Sequence, residues 1–309
     1  MRRRQRKVDA MSEQTKIERS KRDKIFDFCN YLILGFVFIV VFYPLYFVLI
    51  ASISNPALVN SGQVWILPKG LTMSGYEGIF QDKQIISGYI NSIVYTVIGV
   101  LVNLICTIPA AYALSRKNLS GRKILMYGII LTMFFNGGMI PNYLLVNELG
   151  LYNSMWALIL PGAIVPFNLI IARTFFESTI PAELIEAAKI DGCDDFKTFF
   201  KVVLPLSGAL IAIMVLFYGV GHWNTYFNAM IYFRDKSKFP LQLVLRNILI
   251  LNQVSPDMLG DVVQAAKKQE TAALIQYGAI IISALPLLVL YPFVQKYFVK
   301  GVMIGAVKG

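Results

Sequence analysis

Few side chains in these 309 residues could make or break a bond. The one histidine, His222, and the three cysteines, Cys29, Cys106 and Cys193, stand far apart, so they cannot supply the three or four ligands of an ordinary metal site. An odd cysteine count at wide spacing indicates no disulfide framework. No paired carboxylates and no nucleophile beside a base are spaced for catalysis, so no catalytic residue is assigned. GHWN and NGGM lack the spacing and the lysine of a GxxxxGK[ST] phosphate loop, so a nucleotide has no cradle here. Two stretches remain. GHWNTYFN, residues 221–228, offers flat aromatic faces and amides, which suit sugars. EAAKIDGCDDFKTFFKVVLP, residues 186–205, sets acids beside two alanines and closes on Leu-Pro, which suits docking rather than catalysis.

The elements that must position these stretches follow from hydropathy. Hydrophobic residues make up 56% of the chain and charged residues 15%, against about a quarter charged in soluble domains. The deficit falls in runs, and a run of about 20 apolar residues crosses a bilayer as a helix. Six uncharged windows predict spans at 28–53, 88–114, 124–147, 155–172, 206–232 and 272–295. Pro161 and Pro166 predict a kinked or unwound fourth span. Gly137 and Gly138 predict a turn near one end of the third. Residues 1–27 read as a basic arm, 28–295 as the membrane domain and 296–309 as a tail. The arm precedes a first span too long for a signal core, with no small-residue cleavage site after it.

Basic residues set the orientation. The arm, the 115–123 loop, the 173–205 loop and the tail hold 10, 4, 4 and 3 of the 29 Lys and Arg; the alternate loops hold 2, 0 and 6. This bias predicts both termini in the cytoplasm. It also accounts for the net charge of +11 as a topology and lipid signal, so no nucleic-acid partner is expected. The 186–205 stretch then faces the cytoplasm, and 54–87, 148–154 and 233–271 face outward, the last with a short helix around DVVQAAKKQETAALIQ.

Within the polar stretch, Pro181 suits the first position of a helix. Glu183 and Glu186 lie near its positive end. Gly192 can take the left-handed conformation that closes it, and Asp194 or Asp195 can cap a second helix running to Pro205. On spacing alone, this is equally a hydrated surface helix.

The stretch resembles EAA-x3-G-x9-I-x-LP, the cytoplasmic signature of permeases in binding-protein-dependent ABC importers, with Val202 in place of isoleucine. FFNGGMIPNYLLVNELGLYNSMWALILPGAIVPFNLIIARTFF, GHWNTYFNAMIYFRD with PLQLVLR, and KYFVKGVMIGAVKG are similar to the carbohydrate branch, and within it to permeases for polysaccharides and uronate-containing oligosaccharides. The resemblance implies an all-α membrane protein of six transmembrane helices with both termini cytoplasmic, a maltose-permease-like type I importer fold with a cytoplasmic coupling helix, in a bacterial plasma membrane. It implies four partners: a homologous second permease, an ATPase dimer, an extracellular substrate-binding protein and the bilayer. ATP and Mg would sit on the ATPase, with no cofactor in this chain. Glu183, Glu186, Ala187, Ala188, Asp191, Gly192, Leu204 and Pro205, in the 178–205 loop, become the ATPase-coupling residues. The two alanines and Gly192 would permit close packing, and Lys300 to Gly309 would also reach the ATPases.

For a solute path the polar and aromatic side chains inside spans are Asn91, Asn103, Asn168, Tyr218, His222, Trp223, Asn224, Tyr226 and Asn228. Asn224 and Asn228 share a face at helical spacing, with Tyr218 roughly opposite. Trp223 and Tyr226 fall where an aromatic belt is expected. The alternative role of the same side chains is hydrogen-bonding glue between helices. Two rival functions remain. A permease for peptides or amino acids would share the EAA loop. A secondary transporter would require intramembrane acids or bases, which the six windows lack.

Overall fold

The computed structural model describes residues 20–251, 275–292 and 295. Among them helices α1 (Lys21–Ser52), α2 (Pro56–Asn60), α3 (Ser74–Gln81), α4 (Lys83–Ser115), α5 (Arg122–Phe134), α6 (Met139–Glu148) and α7 (Trp156–Ile159) come first. They are followed by α8 (Pro166–Thr179), α9 (Ala182–Ile190), α10 (Asp195–Thr198), α11 (Leu204–Leu206), α12 (Gly208–Trp223), α13 (Phe227–Tyr232) and α14 (Leu241–Leu251), then α15 (Ile275–Pro292). Residues 1–19, the tail with Lys300 to Gly309, and all but the end of the expected helix over DVVQAAKKQETAALIQ lie outside the described residues. In their place the outward-assigned 233–271 segment shows α14, which the sequence reading missed. Its signal was present: Pro240 is followed by apolar residues at 241, 244, 245 and 248.

Helices α1, α4 and α15 are each long and apolar enough to cross a membrane, and three bent pairs account for the other apolar windows. The first begins at Lys21, inside the expected arm, because Ser20 and Asp23 form a capping box. The second begins at Lys83, where the Asp82 carboxylate accepts from the Gln84 and Ile85 N–H groups. Helix α1 is apolar all round, and within it only Ile50, Ala51 and Ser52 are buried, as expected of a helix solvated by lipid.

The third window, expected as one span, is two helices meeting at 115°. Gly138 has φ 89° and ψ 173°, a region open to glycine and closed to other residues, so the chain turns there and not near the end of a span. The fifth, expected over 206–232, stops at Trp223 and restarts at Phe227. Asn224 caps α12, its amide Nδ2 donating to the Val220 carbonyl at 2.9 Å. Asn224 and Asn228 therefore share no helix face.

Helix α4 is the mast. Its 33 residues span about 50 Å, and α8, α12 and α14 pack along it. Its buried positions include Gly88, Ser92, Tyr95, Gly99, Asn103 and Thr107, which recur every three or four residues and are mostly small or hydroxyl-bearing. That stripe lets helix backbones approach and bond in a medium that offers no hydrophobic drive for association. A β-carbon at Gly88 would stand 3.0 Å from Val244, and one at Gly99 would stand 2.5 Å from His222 Nε2, so each glycine makes room for a named neighbour.

The fourth span bends by 49° between Gly162 and Pro166, as its prolines predict. Pro166 has no N–H, so the Gly162 carbonyl loses its helical donor, and Val165 turns extended before the ring. Asn103 answers from α4, its Nδ2 donating to the carbonyls of Gly162 at 2.7 Å and Ala163 at 3.0 Å. Tyr218 answers from α12, its hydroxyl accepting the Val165 N–H at 3.3 Å while sharing a 2.7 Å bond with Thr107 Oγ1. His222 Nε2 lies 2.7 Å from Asn103 Oδ1 and orients that amide. The broken backbone is thus satisfied by side chains of its neighbours, which a low-dielectric setting requires.

Asn103→Leu keeps the volume and removes both donors. The purified subunit should lose about 1–3 kcal/mol for each orphaned group, read as a lower melting temperature in detergent. Thr107→Val should cost less, because Tyr218 still bonds Val165. Equal melting of Asn103→Leu and wild type would show that the bend does not need the clamp.

Candidate functional site

The 180–207 segment folds as two helices around a sharp turn. Pro181 occupies the cap of α9, one position earlier than expected, with φ −61° and ψ 140°. The far end closes in a Schellman arrangement: Cys193 N–H reaches the Ala188 carbonyl at 2.9 Å and Gly192 N–H reaches the Lys189 carbonyl at 3.0 Å. Gly192 holds φ +77°, as the spacing predicts. The Asp194 carboxylate then accepts from Lys197 N–H at 2.6 Å and starts α10. Lys189 and Asp195 form a 3.6 Å ion pair across the turn, both well exposed, so it adds little stability.

The second helix does not end at Pro205. It widens into a π turn over Phe199–Val203, with Leu204 N–H bonding back to Phe199, and continues through Leu206. Proline lacks an N–H and its ring presses on the carbonyl four residues earlier, and the wider turn relieves both. The true break comes at Ser207, where the chain turns by 79° into α12. Ser207 is fully buried, and its hydroxyl donates to the Val203 carbonyl at 2.7 Å.

Helix periodicity divides α9 into two faces. Ile185 and Ala188 are buried, Ile185 in the cluster that includes Phe176, Ile180 and Phe199. Glu183, Glu186, Ala187, Asp191 and Gly192 are exposed. Ala188, expected on the approachable face with Ala187, therefore lines the chain's own interior: it lies three residues from Ile185 and follows it inward. Leu204 is half-buried against the same cluster, and Pro205 is exposed on the second helix. Two exposed side chains escaped the sequence reading, Ile190 at 86% exposure and Phe196 at 78%. Both are apolar groups left bare on the exposed side of a polar island, and their signal was an apolar residue at either end of the IDGCDDF turn.

Beside α9 opens a cleft of about 1030 Å³, walled by the Arg116–Arg122 loop on one side and by Glu186, Lys189 and Phe196 on the other. The loop is anchored. The Arg116 guanidinium lies over the Tyr112 ring at 4.8 Å, Arg173 Nε donates to the Leu114 carbonyl at the end of α4 at 3.2 Å, and Glu177 pairs with both Arg122 and Arg173.

The expected solute-path residues scatter. Tyr218 and His222 belong to the clamp on the fourth span, together with Asn103. Trp223 is buried, its Nε1 donating to the Ser283 carbonyl at 2.9 Å and its ring edge-on to Tyr89 at 5.6 Å, so it is no belt residue. Asn91 donates to the Ser237 and Phe239 carbonyls and holds the segment before α14. Asn168 is buried in α8, whereas Asn224, Tyr226 and Asn228 are exposed. For Asn91, Asn103, Tyr218 and His222 the glue role is what the geometry displays.

Residues 85–304 match a protein family described as binding-protein-dependent transport system inner membrane component. The chain is 42% identical over 299 residues to Protein LplC of Bacillus subtilis (strain 168), across 97% of this chain and 100% of that one. It is 42% identical over 289 residues to the polygalacturonan/rhamnogalacturonan transport system permease protein YtcP of the same bacterium, across 93% and 100%. Its fold is similar to that of a chain in the crystal structure of a bacterial ABC transporter involved in the import of the acidic polysaccharide alginate. That likeness has a TM-score of 0.83 and 36% identity, over 90% of this chain and 98% of that one.

Gly192→Val forces a β-branched side chain into the left-handed region and should cost about 1–2 kcal/mol at the turn. Limited proteolysis should then cut between α9 and α10, while Gly192→Asn, which tolerates that conformation, stays resistant. Resistance of the valine variant would show that the turn does not depend on glycine.

Proposed function

This chain belongs to the family of binding-protein-dependent transport system inner membrane components, and on that premise we propose that it is the permease subunit of an ATP-driven carbohydrate importer. Each bent helix pair counts as one span, giving six in a bacterial plasma membrane, and the bias of basic residues sets both termini in the cytoplasm. A homologous second permease completes the translocation path, an ATPase dimer drives it, and an external binding protein delivers an oligosaccharide. The relatives' names, polygalacturonan and rhamnogalacturonan transport and alginate import, support the cargo class. Hydrolysis belongs to the ATPase, which holds ATP and Mg; this chain contributes no catalytic group.

One observation carries the reading: α9 is a short helix, packed on one face and bare on the other, at the end of α4 farthest from α14. Its bare face offers Glu186 to a basic partner residue and Ala187 to close approach, with Ile190 and Phe196 as apolar contacts beyond the signature itself. Glu183, Asp191 and Gly192 border that face. Ala188, Leu204 and Pro205 serve from behind, by fixing α9 against the second helix. A pull on α9 reaches α12 because α9 packs against α10 and the π turn, and the same helical run meets α12 at Ser207. Helix α12 in turn carries Tyr218 and His222, so motion at the docking face loads the clamp on the fourth span. Two global arrangements biased by nucleotide and by loaded binding protein complete the cycle.

Glu186→Lys should leave the subunit folded in the membrane and abolish substrate-stimulated ATP hydrolysis and uptake in proteoliposomes. Normal stimulation and uptake in that variant would remove Glu186 from the docking contact.

A further inference from the structure

At the opposite end of α4 from the docking face lies a second cleft, of about 530 Å³, between α14, α15 and the segment after α12. Its volume is that of a small-molecule site. Gln242 and Arg246 stand one helical turn apart on α14, Gln276 and Ser283 project from α15, and Asn224 and Tyr226 complete the rim. Leu245 and Ala279 form an apolar floor. Among the described residues that line the cleft, none carries a carboxylate. The ion pairs among the described residues use Arg122, Arg173 and Lys189, and Arg246, half-buried, has no ion-pair or hydrogen-bond partner there. A partly desolvated guanidinium without a counter-charge is an anion receptor at rest.

The rim narrows the choice of anion. A lipid phosphate is ordinarily met by several cations, whereas the described residues of this site set one cation among three amides, a seryl residue and a tyrosine ring. Amides bond hydroxyl groups, a flat ring receives the apolar face of a pyranose, and a guanidinium grips a carboxylate through two parallel bonds. We propose that this cleft is a subsite for an acidic saccharide, with Arg246 holding the carboxylate of a uronate residue and Gln242, Gln276 and Asn224 bonding its hydroxyls. The proposal rests on the carbohydrate reading above and adds to it the charge of the cargo and the place on this chain that senses it.

The test uses the complete importer in proteoliposomes, with one binding protein throughout, and compares uptake of a trigalacturonide with that of its methyl ester. Loss of one charge-assisted contact should lower the acid-to-ester uptake ratio by about tenfold in Arg246→Gln. Arg246→Lys should keep most of the ratio, and Gln242→Glu, which supplies an internal counter-charge, should lower it as Arg246→Gln does. Arg234→Gln, an exposed arginine outside the cleft, should leave it unchanged. If Arg246→Gln fails to assemble with the ATPase, the Gln242→Glu ratio decides alone. An unchanged ratio, an equal loss of acid and ester uptake, or a loss that follows the anionic lipid content of the vesicles would overturn the subsite. In each of those cases the importer still moves sugar. Wild-type vesicles that accumulate neither compound would instead count against the carbohydrate reading itself.

Discussion

A backbone that breaks inside an apolar medium must find its hydrogen bonds somewhere other than water, and this chain breaks its helices between Gly162 and Pro166, at Gly138 and at Ser207. At the first of these the partners are visible atom by atom. Asn103 donates to the Gly162 carbonyl freed by Pro166 and to the Ala163 carbonyl beside it, and Tyr218 accepts the Val165 N–H. Each such group left bare in hydrocarbon costs several kcal/mol. The bend, the position of α8 beyond it and the closeness of α4 to α12 therefore stand or fall together. Proline makes the bend available; the amide and the phenol hold it at one angle.

The same constraint links the two ends of the molecule. Helix α4 carries the small and polar stripe on which α8, α12 and α14 pack; one of its ends lines the first cleft, and α14, which lines the second, packs near the other. Near one end Arg173 Nε donates to the Leu114 carbonyl and the Arg116–Arg122 loop faces α9. Near the other, Ser92 accepts the Leu241 N–H at 2.8 Å and Tyr95 donates to the Lys238 carbonyl, so α14 is tied to the mast by side chains. Helix α9 is therefore joined to α12 by continuous packing through the π turn and Ser207, and α12 shares its clamp with the mast.

Much of this was legible where one residue dictates its own backbone. Pro166 leaves the chain few conformations, while Gly192 and Gly138 admit ones closed to other residues, and the bend, the turn and the sharp break appear where those residues stand. Positions decided by packing were harder to read. The window 206–232 carries no charge, so its hydropathy reads as one span and hides that Asn224 ends α12 by bonding its own backbone. The π turn before Pro205 is a tertiary solution to a local clash, and Ala188 turns inward because Ile185 does. On the sequence His222 and Tyr218 stood as solute ligands or as glue; their bonds to the broken fourth span and to Asn103 make them glue. The start of α1 at Lys21 is written in the Ser20–Asp23 capping box, which lies among the charges of the arm.

The account centres on the bare face of α9 as the surface gripped by a cytoplasmic ATPase. Ala187→Cys places a thiol on that face, and a short bifunctional maleimide applied to inside-out vesicles of the assembled importer reads its neighbour directly. The account predicts a covalent permease–ATPase adduct whose yield changes with ATP. Labelling of the same thiol by a membrane-impermeant maleimide from outside intact cells, with no adduct formed, would contradict it.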